Sequence, residues 1–120
     1  MTAPTDSDDP SAFVLSLPRR LAELRATLGT LVADTRSQRM RNELRRRLEA
    51  LEASSASHGL VHLSEGLRET LAHLDLLRAT DVLTARDLET LSDSLSALSG
   101  LARRDLPDRP ELFERARPVT

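Results

Sequence analysis

Leucine supplies most of the large apolar side chains in this chain, and its spacing limits what the chain can become. There are 24 leucines, no isoleucine, no tryptophan, no tyrosine, and only Phe13 and Phe113 as aromatics. Strand-favouring residues are therefore scarce, and the leucines recur at three and four residues, the period of a helix that buries one face. At about 100° per residue they fall into four stripes, and the angles between stripes locate the breaks. Leu17, Leu21, Leu24, Leu28, Leu31 and Val32 form the first stripe, with Pro18 suited to its first turn. Met40, Leu44, Leu48 and Leu51 form a second, turned roughly 170° from the first if one straight helix ran through both. A break near Ala33–Ser37 resolves the conflict: Asp34, Thr35 and Ser37 can all cap a helix, and Thr35 with Gln38 has the capping-box spacing.

The same reasoning puts a second break at Ser54–Ser57, before Leu60, Leu63, Leu67, Leu71 and Leu74. A third precedes Ala85, where Thr84 and Asp87 form a capping-box variant flanked by Leu83 and Leu88 at staple positions. Leu88, Leu91, Leu95 and Leu98 then trace a narrow seam with serines on its shoulders. The expected fold is all-α: an antiparallel up-and-down four-helix bundle with helices over 17–33, 36–53, 57–79 and 85–104. Residues 1–12 read as a flexible acidic tail, 13–105 as a single helical domain, and 106–120 as a Pro-containing segment with a short helix. The competing arrangement joins residues 17–53 into a long helical hairpin that dimerises as a coiled coil or bundle.

Composition removes several functions. There is no cysteine, so thiol catalysis, thiolate metal sites and disulfides are excluded. No Gly-rich phosphate loop or nucleophile–base arrangement stands out, and neither an enzymatic activity nor a cofactor is expected. The start, MTAPTDSDDP, is acidic rather than a basic-then-apolar leader, and no run spans a membrane, so the cytoplasm is the expected location. All 17 basic residues are arginine. With no lysine or isoleucine, this fits a GC-rich, bacterial codon bias better than selection for guanidinium chemistry.

Charge is polarised along the chain. Thr35–Arg47 holds six arginines, whereas residues 48–100 are strongly acidic. Arg36, Arg39, Arg46 and Arg47 share an arc of about 100°, and Arg41 and Arg45 lie on the other flank of the apolar stripe. Such an arc could hold an anionic surface or nucleic acid. However, the sequence pI near 5.9 and the lack of stacking aromatics argue against nucleic acid. Folding at 54–57 brings Arg45 and Arg46 level with Glu65, and Arg41 level with Glu69, so that a basic second helix pairs with an acidic third one.

The third helix carries all the histidines. His58, His62, Glu65, Glu69 and His73 project within about 80° of one another, a ridge of metal-ligating types that lacks any established metal motif. Gly59 and Gly66, one heptad apart, imply either close approach of a neighbouring helix or a groove for a partner. His62 followed by Gly66 on a helix of a four-helix bundle also resembles a histidine phosphotransfer domain. That resemblance implies His62 as phosphoacceptor and Gly66 as the small residue that admits a response regulator. Where that family has leucine and lysine two and three residues after the histidine, this chain has Ser64 and Glu65.

The expected function is a non-enzymatic protein–protein interaction or regulatory module, homodimeric, docking through a helix face. Candidate contacts are Arg36, Arg39, Arg46, Arg47, Gly59 and Gly66, together with the serine-shouldered seam of the fourth helix. Phosphotransfer through His62 and anion binding by the arginine arc are the alternatives.

Overall fold

The computed structural model describes residues 10–77 and 81–107. Four helices run in order: α1 (Pro10–Ala33), α2 (Gln38–Ser57), α3 (Val61–Leu76) and α4 (Ala85–Asp105). Each packs against its neighbours around a ring, α1 on α2, α2 on α3, α3 on α4 and α4 back on α1. This is the up-and-down bundle the leucine stripes require; the single long helix over 17–53 does not form. The core is almost wholly leucine, with Leu17, Leu31, Leu44, Leu48, Leu63, Leu67 and Leu91 fully buried. Burying a leucine side chain contributes about 1.5–3 kcal/mol, so the stripes decide the fold.

The break before α2 is where the stripes put it, but its chemistry differs. The Thr35–Gln38 capping box does not form; Ser37 is the N-cap, and its Oγ accepts the Met40 amide at 3.1 Å. Asp34 Oδ1 accepts the Arg36 amide at 3.3 Å, so the acid shapes the turn rather than the helix. Thr84 and Asp87 do form the capping box of α4. Leu83 and Leu88 are both buried beside it, as the staple requires.

Helix α1 starts at Pro10, well before residue 17, so Pro10–Ala12 belong to the helix rather than to a tail. Pro18 consequently lies inside the helix instead of in its first turn. Phe13 explains the extension: it is 2% exposed in the core, and packing overrides the cost of an interior proline. Val32, placed in the first stripe, is instead 52% exposed.

The turn between α2 and α3 is the largest correction. Ser54–Ser57 do not break the chain; they form the last turn of α2, with Ser55 completely buried. The helix ends at His58, and Gly59 adopts φ +76°. The Gly59 amide donates to the Ala56 carbonyl, and the Leu60 amide donates to the Ser55 carbonyl at 2.8 Å, the Schellman closure. Glycine is needed here because the left-handed conformation places a Cβ against the following carbonyl. Gly59 is therefore a helix stop and not part of a helical groove. The expected short helix beyond residue 107 and the stretch 1–9 lie outside the described residues, as do 78–80 at the expected end of the third helix.

Candidate functional site: two borrowed caps and the outer face of α1

Moving a hairpin's turn by one residue moves the facing partner by two, so the displaced α2–α3 turn re-registers the arginines. Arg45 meets Asp75, not Glu65: Nε donates to Oδ1 at 2.8 Å and Nη2 to Oδ2 at 3.2 Å. The carboxylate hydrogen bond, followed by its charge and that of Glu49, raises the Arg45 pKa further above its ordinary value. Basic α2 thus does pair with acidic α3, through the Arg45 that the sequence reading named and an acid, Asp75, that it did not. Glu65 and Glu69 remain exposed.

Arg41 does not reach Glu69. It is 4% exposed, and its guanidinium donates to three carbonyls: Leu77 at 3.2 Å, Thr35 at 3.1 Å and Asp81 at 3.0 Å. One cation thereby joins the α1–α2 loop, the end of α3 and the approach to α4. Because α2 runs antiparallel to α3, an arginine one turn into α2 lies beside the carbonyl-rich C-terminus of α3, where a positive charge is favoured.

The proposed arginine arc is divided. Arg46 and Arg47 both donate to Glu43, and Arg47 also lies 3.9 Å from Glu23. Arg36 and Arg39 are exposed and make no ion pair among the described residues. Two arginines rather than four therefore remain without a carboxylate.

The opposite end of α3 mirrors the Arg41 site with the charge reversed. Its N-cap position is Leu60, which has no capping side chain. Asp105, the last residue of α4, fills the role: it accepts the His62 amide at 3.0 Å, the Leu63 amide at 2.8 Å and His62 Nδ1 at 2.7 Å. Its side chain is only 5% exposed. A carboxylate in that position can only accept, so Nδ1 of His62 is the ring nitrogen that donates, and in the neutral tautomer the lone pair is on Nε2. The His62 side chain is 43% exposed.

The histidine ridge is not assembled. His58 ends α2 rather than starting α3, stacks on Phe13 with centroids 4.4 Å apart, and directs Nδ1 to the Ser54 carbonyl at 2.8 Å. Nε2 of His73 is buried without a hydrogen-bond partner among the described residues. Among the described residues no three His, Asp or Glu side chains converge as a metal site needs. Gly66 is buried and faces inward. A Cβ there would lie 2.3 Å from Leu101 Cδ1, so its missing side chain admits α4. This is the close helix approach that one reading of the glycines expects; a shallow cavity beside it is lined by Gly66, Glu69, Thr70, Ala97 and Leu101.

The serine-shouldered seam is not a surface either. Leu88, Leu91, Leu95 and Leu98 are all buried in the core. The surface that stands out belongs to α1. Leu15, Arg19, Ala22, Ala26, Gly29 and Ala33 are all exposed, alternate at four and three residues, and lie within about 80° on the side opposite the core. Arg19 lies on this line and the exposed Glu23 and Arg25 flank it; α2 exposes Arg39, Arg46, Arg47 and Glu49, α3 exposes Glu65, Arg68, Glu69 and Asp75, and α4 exposes Arg86, Glu89, Asp93, Arg103 and Arg104. Sequence reasoning missed the α1 face because it sought clusters of charge and leucine, and this line is mostly alanine and glycine, with Leu15 and Arg19 the exceptions. The signal was present as the heptad spacing of alanine and glycine.

Among the described residues no helix is long and apolar enough to cross a membrane. No protein-family model, curated protein or solved structure matches the chain.

Proposed function

We propose that this chain is a non-enzymatic helical interaction module, a regulatory or adaptor unit that docks through the outer face of α1. The observation that supports this reading is the outer line of α1, where Leu15 is 59% exposed and Ala22, Ala26, Gly29 and Ala33 are exposed beside it, with Arg19 on the line and Glu23 and Arg25 at its edges. A line of small and apolar residues on the solvent side of a helix lets a neighbouring surface approach closely. The test is site-specific photo-crosslinking in cells. A benzoylphenylalanine placed at Ala26 should give defined protein adducts, and the same group at Asn42 on the outer face of α2 should not. Equal labelling from both positions, or none from either, would sink the proposal.

A second reading, phosphoryl acceptance at His62, is favoured by one contact. Asp105 fixes the imidazole tautomer so that the nucleophilic Nε2 is the ring nitrogen not held by the carboxylate. Nε2 would bond to phosphorus as acetate leaves acetyl phosphate, and Asp105 would stabilise the positive ring. Two features oppose it: Glu65 follows one turn later, where its charge repels a phosphoryl group, and Gly66 is filled by Leu101. Incubation with acetyl phosphate decides it. Acid-labile phosphate that is lost in His62→Gln supports the reading, and no incorporation removes it. The anionic-surface reading rests on Arg36 and Arg39 alone, and a salt-sensitive gel shift lost in the Arg36→Gln, Arg39→Gln double variant would be needed to revive it.

A further inference from the structure

We infer that the cavity between α1 and α2 beside Arg20 binds a short aliphatic monocarboxylate, with its carboxylate on the Arg20 guanidinium and its tail on a leucine floor. This goes beyond docking through the outer face of α1 and stands or falls without it.

Arg20 differs from the arginines of α2 in what holds it. Arg45, Arg46 and Arg47 each meet a carboxylate, whereas Arg20 makes no ion pair among the described residues. Two neighbours on its own helix orient it instead. Its Nε donates to Ser16 Oγ at 2.8 Å, and its guanidinium carbon lies 5.5 Å from the centre of the Phe13 ring. Phe13 is buried in the core and stacked on His58, so that ring is a fixed platform. Nε and one face of the guanidinium are thus engaged, while the two Nη groups make no hydrogen bond to a described residue. Together they form a planar fork that matches both oxygens of a carboxylate.

This fork borders a cavity. Arg20 lines a space of about 110 Å³ with Glu23, Leu24, Arg47, Ala50 and Leu51. Leu24 and Leu51 are buried and form the floor, and the half-exposed Arg47 and Glu23 form the rim. The volume admits several water-sized groups but falls well below the roughly 300 Å³ of a drug-sized site, so the ligand is short. Leu24, Ala50 and Leu51 give an aliphatic tail a surface to cover.

Charge then selects the sign and valence of the ligand. Around the cavity Arg20, Arg46 and Arg47 are set against Glu23 and Glu43. Arg46 and Arg47 are taken by the two glutamates, so the one positive charge left over is that of Arg20. Arg19, exposed on the outer line of α1, adds to the same sign, and Glu49 is held by Arg45 on the side of α2 toward α3. A monoanion matches this balance; a dianion would bring excess charge beside the Glu23 carboxylate. The adjoining cavity, about 280 Å³, does not include Arg20, and its lining cation Arg47 is already held by Glu43. The anion therefore belongs in the smaller space.

Sodium butyrate titrated into the isotope-labelled full chain, against sodium chloride at equal ionic strength, reads the site directly. Amide shifts should saturate with a dissociation constant on the order of 1 mM and centre on residues 20–24 and 47–51. Arg20→Gln should weaken binding about tenfold or more, because the charged fork is lost. Ala50→Leu, at an exposed helical position, fills the cavity while keeping Arg20 and its Ser16 contact, and should weaken binding by a similar factor. Inorganic phosphate should bind more weakly than butyrate.

Shifts that rise without saturating, or that equal those produced by chloride, overturn the inference, as does saturation that survives either substitution. Tighter binding of phosphate than of butyrate overturns the ligand class. Should Arg20→Gln fail to fold, Ala50→Leu decides the outcome alone.

Discussion

The two ends of α3 solve the same problem with opposite charges. At its C-terminus, Arg41 from α2 gives donors to the Leu77 carbonyl and to two loop carbonyls; at its N-terminus, Asp105 from α4 accepts the His62 and Leu63 amides. A helix presents unpaired N–H groups and partial positive charge at its start, and carbonyls and partial negative charge at its end. A buried anion at one end and a buried cation at the other thus match the helix twice. Neither is supplied by α3 itself: its N-cap is Leu60 and its C-cap Leu77. The most enclosed charged groups of this bundle are structural, and they serve the helix whose own sequence omits caps.

Replacing Arg41 should separate the ends most sharply. Arg41→Met keeps the length of the side chain but leaves three carbonyls without their donor in a buried setting, a cost of about 3 kcal/mol read in urea melts. Asp105→Ala should cost about 2 kcal/mol, because the freed amides at the start of α3 lie closer to water than the carbonyls around Arg41. If Asp105→Ala proves the more damaging, the asymmetry between the ends is reversed. The two sites are separated by the length of α3, so the double variant should show additive losses, and a coupling beyond about 0.5 kcal/mol would mean that α3 responds as a unit.

Gly59→Ala should cost about 1 kcal/mol, from forcing a side chain into a left-handed turn just ahead of the Asp105 cap. The same substitution at the exposed helical residue Gly100 should be neutral or mildly stabilising.

Acid gives a finer comparison between a borrowed cap and a local one. The Thr84 backbone N–H, and secondarily the Thr84 hydroxyl, hold the Asp87 carboxyl below the usual carboxylate range. A carboxyl with a lowered folded pKa contributes stability that is present above its unfolded value and lost as pH falls through the folded value. Amide exchange in the first turn of α4 should therefore quicken as pH falls through and below the ordinary carboxylate range, relative to unstructured amides at the same pH. In Asp87→Asn that change should vanish. The smallest effect is expected at the exposed Arg45–Asp75 pair, where Asp75→Asn should leave the melting temperature nearly unchanged; a clear loss would show that this pair sets the α2–α3 register.

Much of the fold was legible because leucine spacing reports a burial direction without any knowledge of neighbours. The break at 34–37, the Thr84–Asp87 box and the Leu88–Leu98 stripe could all be read locally. The Ser54–Ser57 break was misread for an equally local reason. Serines are good helix caps, but with Ser55 buried and Gly59 available as a stop, α2 runs on to the glycine. The candidate site fared worse. A helical projection shows that Arg41 and Arg45 sit on different azimuths from Arg36 and Arg39, yet it cannot say which azimuth meets a carbonyl, a carboxylate or water.

By itself the sequence determined the helices, their approximate ends, the antiparallel order and the leucine core, since each follows from periodicity and chain-local capping. Only the tertiary structure decided what became of the polar groups. It buried Arg41 among carbonyls, brought Asp105 across to amides distant in sequence, turned Gly66 inward to Leu101, and left Leu15 of α1 exposed on the side away from the core. Burial of apolar surface is nearly additive and directionless, so a pattern can reveal it. A hydrogen bond or ion pair needs a particular partner at a particular distance, and that partner is fixed only when the turns have set the register.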